Sequence, residues 1–155
     1  MYTKEEKKAL VKNFWQHFDN YCRLQPELAG RKKMWVLHRT GVPSVDLKFE
    51  PGRKRTMVMI ECNHKDEDER LEMFENLLQY RSVLEEGLEN ALTWDLVYTR
   101  LSGEEVSRVY TSLENKDIHR QNDWHSMFQF MASNMNILQK NFMDIAEFLK
   151  DDAFA

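Results

Sequence analysis

The polar and apolar positions divide the chain into segments with different periods. Leu10, Val11, Phe14, Trp15, Phe18, Tyr21 and Cys22 recur at helical spacing. Thr3 with Glu6 three residues later forms a capping box, so a helix over residues 4–22 is predicted. Gln25-Pro26-Glu27 and Ala29-Gly30 interrupt that pattern, and Met34 to His38 reads as a first strand. Val45, Leu47 and Phe49 alternate with Asp46, Lys48 and Glu50, the period of a half-buried second strand. Pro51-Gly52 turns the chain into a central strand, Thr56 to Cys62, the most continuous apolar run in the sequence.

Asp66 is the expected N-cap of the next helix, whose stripe runs through Leu71, Phe74, Leu77, Leu78, Leu84 and Leu88. Trp94, Leu96 and Tyr98 then alternate, and Leu101 to Glu104 turns into a returning strand from Val106 to Leu113. Asn122 is the expected cap of a long final helix, with a stripe through Trp124, Met127, Phe128, Met131, Met135, Leu138, Phe142, Ile145 and Leu149. A methionine-rich stripe of this kind is ordinary core filling, and it also suits a dimer seam. The expected fold is a single α/β domain over residues 1–155: helix, three-stranded antiparallel meander, helix, β-hairpin, long C-terminal helix.

Composition sets the class. With 155 residues, 42% hydrophobic, the chain can bury a sizeable core. It has no apolar run long enough to span a bilayer and no signal-peptide core at its start. Cys22 and Cys62 are too few for a disulfide framework, so a reducing, cytoplasmic setting without membrane contact is expected. The net charge of −4 hides an asymmetry: residues 23–56 hold 9 basic against 3 acidic groups, while residues 57–155 hold 9 basic against 20 acidic. Such a basic segment marks a phosphate-binding surface, with Arg31, Lys32, Lys33, Arg53, Lys54 and Arg55 as its nucleic-acid contacts. The plainer reading is that the basic and acidic regions neutralise each other within the fold or across a dimer.

Phosphate-cradling glycine loops, nucleophile elbows and His-Glu-x-x-His are all lacking from the sequence. Asp66 to Glu69 is explained by the helix dipole. Cys62 and His64, with His38 opposite, form only a weak zinc pair.

The order of elements resembles the core of the restriction-endonuclease-like, or PD-(D/E)xK, nucleases. That resemblance implies an acidic residue on the second strand and an acidic-x-lysine on the third, holding Mg²⁺ and a water against a phosphate. Asp46 and Glu61, fifteen positions apart, match the two acidic places as catalytic residues and metal ligands. Asn63 stands where the motif wants lysine, leaving Lys48 on the neighbouring strand as the substitute and Lys65 as a poorer one. The motif is therefore degenerate at Asn63, and Mg²⁺ is expected only if the protein is an active nuclease. In the alternative, Asp46 and Lys48 are solvent-face residues and Glu61 pairs with a nearby arginine.

Residue by residue, the chain is also similar to a bacterial domain-of-unknown-function family, number 4268. The resemblance rests on the opening Tyr2-x-Lys4-Glu5-Glu6 with Phe14-Trp15, the Met57-Val58-Met59-Ile60 strand before Lys65-Asp66-Glu67, Gly103 to Arg108, and Asn122-Asp123-Trp124. It implies no functional residues. It is compatible with a catalytically degenerate nuclease-like protein that binds nucleic acid, or with an interaction or homodimerisation module that does not.

Overall fold

Two hairpins lie side by side in one sheet, and every helix packs on the same face of it. The computed structural model describes residues 2–26 and 40–154, with side chains described as far as Leu149. The order of elements is α1 (Lys4–Arg23), β1 (Val45–Pro51), β2 (Arg55–Cys62), α2 (Glu67–Leu78), α3 (Arg81–Glu85), β3 (Thr93–Thr99), β4 (Glu105–Glu114) and α4 (Gln121–Phe154). The predicted strand at Met34–His38 lies outside the described residues, as do Arg31, Lys32, Lys33 and His38.

The expected meander followed by a separate hairpin is not what forms. The sheet is four-stranded and antiparallel, in the order β1-β2-β4-β3. The burial of β2 and β4 explains the correction. β2 is buried from Thr56 to Cys62 and β4 from Val106 to Thr111. Strands buried on both faces belong in a sheet interior, where neither edge is left with unpaired backbone groups. Pairing β2 with β4 satisfies both and leaves the shorter β1 and β3 as edges. Periodicity identifies the faces of a strand but not its neighbour, so the restriction-endonuclease-like core order does not survive.

Local signals explain most element boundaries. Thr3 and Glu6 form the reciprocal capping box of α1. The Asp66 carboxylate accepts the Asp68 and Glu69 amides and caps α2. The long predicted helix after it is broken between Gln79 and Tyr80, so Leu78 is left exposed while Leu84 returns to the core through α3. Tyr80 stacks on Phe148 of α4 at that break. Asn122 is not the cap of α4, which begins one residue earlier at Gln121.

The main core joins Phe14 and Phe18 of α1 to Val58, Ile60 and Cys62 of β2, Leu77 of α2 and the stripe of α4 from Trp124 to Leu149. Aromatic edges fill its centre: Phe14 meets Trp124 at 5.5 Å and 85°. Because side chains alternate along a strand, the neighbours of these residues face away from the helices. That second face carries Asp46, Lys48 and Glu50 of β1, Met57, Met59 and Glu61 of β2, and Arg108 and Tyr110 of β4. Met57, Met59 and Tyr110 make a small separate cluster there, with Tyr98 packed against it. A bulge between Asp95 and Tyr98 interrupts the alternation predicted for β3 and turns Tyr98 toward this face.

Candidate functional site

The three residues singled out as catalytic do converge. Asp46 and Glu61 are direct cross-strand partners in β1 and β2, and Lys48 lies two residues along on the same face. Asn63 bridges the carboxylates, its Nδ2 donating to Asp46 Oδ2 at 2.8 Å and to Glu61 Oε1 at 3.4 Å. Lys48 Nζ lies 3.3 Å from Glu61 Oε1.

Glu61 is engaged from the other side as well. It is fully buried. Arg108 Nε donates to its Oε2 at 3.0 Å, and Arg100, in the turn after β3, pairs with its Oε1. Burial alone would push the Glu61 carboxyl up. The Arg100 hydrogen bond and the charges of Lys48, Arg100 and Arg108 outweigh burial and hold it down at about 2. Arg108, only 2% exposed, also grips Glu50 with both terminal nitrogens, at 2.9 and 3.2 Å. Its guanidinium carbon lies 4.1 Å from the centre of the Tyr98 ring. Burial opposes the Arg108 charge, yet Glu50 and Glu61 together raise its pKa above the usual arginine value.

This arrangement does not fit a magnesium ion. Magnesium takes oxygen ligands in near-octahedral order. Both Glu61 oxygens are already bound to cationic side chains, and Asp46 is the only further carboxylate brought beside it by strand pairing. A divalent cation entering here would face three positive side chains at once. Among the described residues, no group of three or more His, Cys, Asp or Glu side chains is arranged to hold a metal. The alternative in which Glu61 pairs with an arginine is the one the geometry bears out. Glu61 has two such partners, while Asp46 and Lys48, expected in that alternative on the solvent face, are half-buried and joined to the same network.

The nucleic-acid contacts expected near the hairpin are split. Arg55 turns onto the network face, its Nη2 3.4 Å from the Tyr98 hydroxyl. Arg53 and Lys54 stay exposed in the β1–β2 turn. The register runs from Asp46 opposite Glu61 to Pro51 opposite Thr56, five positions or about 17 Å of strand. The basic turn and the carboxylates therefore occupy opposite ends of one hairpin.

Around that turn the fold gathers further cations. Gly52 and Lys54 carbonyls accept the Ile118 and Asn115 amides, which docks the segment before α4 onto the hairpin. An open cleft of about 440 Å³ results, lined by Tyr2, Arg53, Asp117, His119 and Arg120 with the first turn of α4. Sequence reasoning missed Arg100, Arg108 and this cleft. Arg108 was the readable signal, an arginine in the middle of a strand rich in Val, Tyr and Thr.

A family model matches residues 10–146, from the first buried position of α1 to Ala146 in the core of α4. The chain belongs to that family, Domain of unknown function (DUF4268). The match covers every strand of the DUF4268 sheet and all of the Glu61 network. No curated protein and no solved structure matches this DUF4268 chain. No helix among its described residues is long and apolar enough to cross a membrane.

Proposed function

We propose that this chain is a non-catalytic nucleic-acid-binding module. The observation that carries the first half is the saturation of Glu61 by Arg100, Arg108 and Lys48. A carboxylate already neutralised on both oxygens is a structural group, and the neutral Asn63 amide can neither take a proton from an attacking water nor bring a charge to it. The second half draws on the exposed Arg53 and Lys54 at the far end of the hairpin and on the basic residues that join them there.

The test combines two assays on the full chain. Binding to labelled DNA and RNA across a salt series is expected to weaken steeply as salt rises, as phosphate contacts require. Incubation of the same substrates with Mg²⁺ or Mn²⁺ is expected to leave them intact. Metal-dependent cleavage that disappears in both Asp46→Ala and Glu61→Ala would overturn the non-catalytic reading.

A second reading, homodimerisation or binding of another protein, is favoured by a different surface. Met143 and Phe148 of α4 are 48% and 54% exposed, and Leu78 lies 39% exposed at the end of α2. Sedimentation of the chain and of Phe148→Glu over a range of concentrations decides it. A monomer in both cases removes the dimer.

A further inference from the structure

We propose that the cleft between the first turns of α1 and the segment before α4 is a groove for single-stranded nucleic acid, an inference that rests on the nucleic-acid reading above. Two open lobes on this surface have His119 in common among their lining residues. The first is lined by Tyr2, Arg53, His119 and Arg120. The second, about 380 Å³, is lined by Lys4, Lys7, Lys8, Val11 and His119. Each volume lies within the range of about 300–1,000 Å³ usual for small-ligand sites.

Helix geometry gathers the cations. At about 100° per residue, Lys4, Lys7, Lys8 and Val11 fall within one arc of about 100°, while Glu5 and Glu6 fall outside it. The Glu6 carboxylate is also turned back onto the Thr3 amide by the capping box. α1 therefore presents lysines to the groove and its acids elsewhere.

Asp117, which lines the cleft, and Asp123 after it in sequence are occupied in building it. Asp117 accepts the His119 amide at 2.8 Å and lies 3.5 Å from Arg53. Asp123 accepts the Asp117 amide at 3.0 Å and lies 3.2 Å from Arg120. Arg53 and Arg120 remain 63% and 62% exposed at their side chains, so each keeps donors for a phosphate.

The rings decide between strand types. Tyr2 is 45% exposed and lines the first lobe, and the half-buried His119 lines both. Rings set among cations suit a strand whose bases are free to stack while its phosphates meet lysine and arginine. A duplex, with its bases stacked on one another, would offer the groove only phosphates.

Fluorescence anisotropy of the full chain with a labelled single-stranded oligo-dT and with its duplex, from 50 to 200 mM KCl, tests this. The single strand is expected to bind at least about tenfold more tightly than the duplex. Lys4→Gln/Lys7→Gln/Lys8→Gln is expected to weaken binding about tenfold or more and to lower the salt slope by about 2. Tyr2→Leu is expected to weaken binding several-fold with the slope unchanged, and Lys140→Gln, at an exposed position of α4, to change nothing. Glutamine is a good helix former, so the triple variant keeps α1, which its thermal melt checks. No binding by the parent overturns the function reading together with the groove. Binding that the triple variant leaves intact overturns the groove alone. A duplex bound as tightly as the single strand overturns the strand class.

Discussion

Arg108 and Glu61 face each other as register partners at the centre of the sheet, 2% and 0% exposed at their side chains and 3.0 Å apart. A fully buried ion pair is held by geometry, and its worth shows when one partner is removed. Glu61→Gln removes the anion that Arg108 and Arg100 share, leaving Arg108 with Glu50 and Arg100 with Glu104. With those partners kept, the loss is expected at the lower end of the cost of breaking a buried pair, about 3 kcal/mol. Asp46→Ala loses an Asn63 hydrogen bond at the strand edge and is expected to cost about 1 kcal/mol. Urea denaturation of both variants checks the ranking, and equal losses would show that Glu61 is not the centre of the network.

The same pair sets an acid limit. In the unfolded chain the Glu61 carboxyl takes up a proton near 4.5, whereas in the fold it stays ionised down to about 2. Between those values the unfolded state binds more protons, so stability falls as the pH falls. The contribution is about 3 kcal/mol, fully present above about pH 5 and lost progressively toward pH 2. Unfolding free energies measured from pH 6 to pH 2.5 should show this slope, and Glu61→Gln should flatten it.

Metal titration separates a structural network from a metal centre. A ligand that binds only the folded state raises the melting temperature by mass action. Millimolar Mg²⁺ or Mn²⁺, or removal of metal by EDTA, is expected to move the melting temperature by less than about 1 °C, because the cationic side chains hold the place a metal would need. A rise that Glu61→Gln abolishes would put a metal at this site.

The elements of this fold were largely legible in the sequence, and their assembly was not. The alternation of Val45, Leu47 and Phe49, the Pro51-Gly52 turn and the Asp66 cap each rest on contacts within a few residues, and all are found in place. The whole apolar stripe of α4 is buried as its spacing required. Pairing of β4 with β2 joins residues as far apart as Arg55 and Glu114, which no local pattern encodes. Glu61 shows the same limit at the site. Its juxtaposition with Asp46 followed from one hairpin, but its saturation depends on Arg100 and Arg108 from the second.

The buried thiol beside this network gives a chemical readout of the fold. Cys62 follows Glu61 in β2 and points to the helix face, with no exposed surface. Burial, with a further push from the Glu61 charge, raises its thiol to about 12. Only the thiolate alkylates, so native Cys62 is expected to resist iodoacetamide at pH 8 and to react on denaturation. Mass spectrometry of the labelled chain distinguishes it from Cys22.

Asn63 offers the sharpest separation of motif from chemistry. Asn63→Lys completes the acidic-x-lysine order after Glu61, and a motif-level argument would have it restore nuclease activity. The geometry argues otherwise. Asn63 now donates its amide to both Asp46 and Glu61 and adds no charge. A lysine there becomes one more cation beside Lys48, Arg100 and Arg108, around a carboxylate whose two oxygens are both already paired with cations. Attraction to Asp46 and repulsion from Lys48 roughly offset at this half-buried position, so stability should change by less than about 1 kcal/mol. The variant is expected to fold, to bind nucleic acid as the parent does and to cleave neither DNA nor RNA with Mg²⁺ or Mn²⁺. Cleavage appearing in Asn63→Lys would show that the arginines leave Glu61 in the presence of metal, and the network would then be a masked active site.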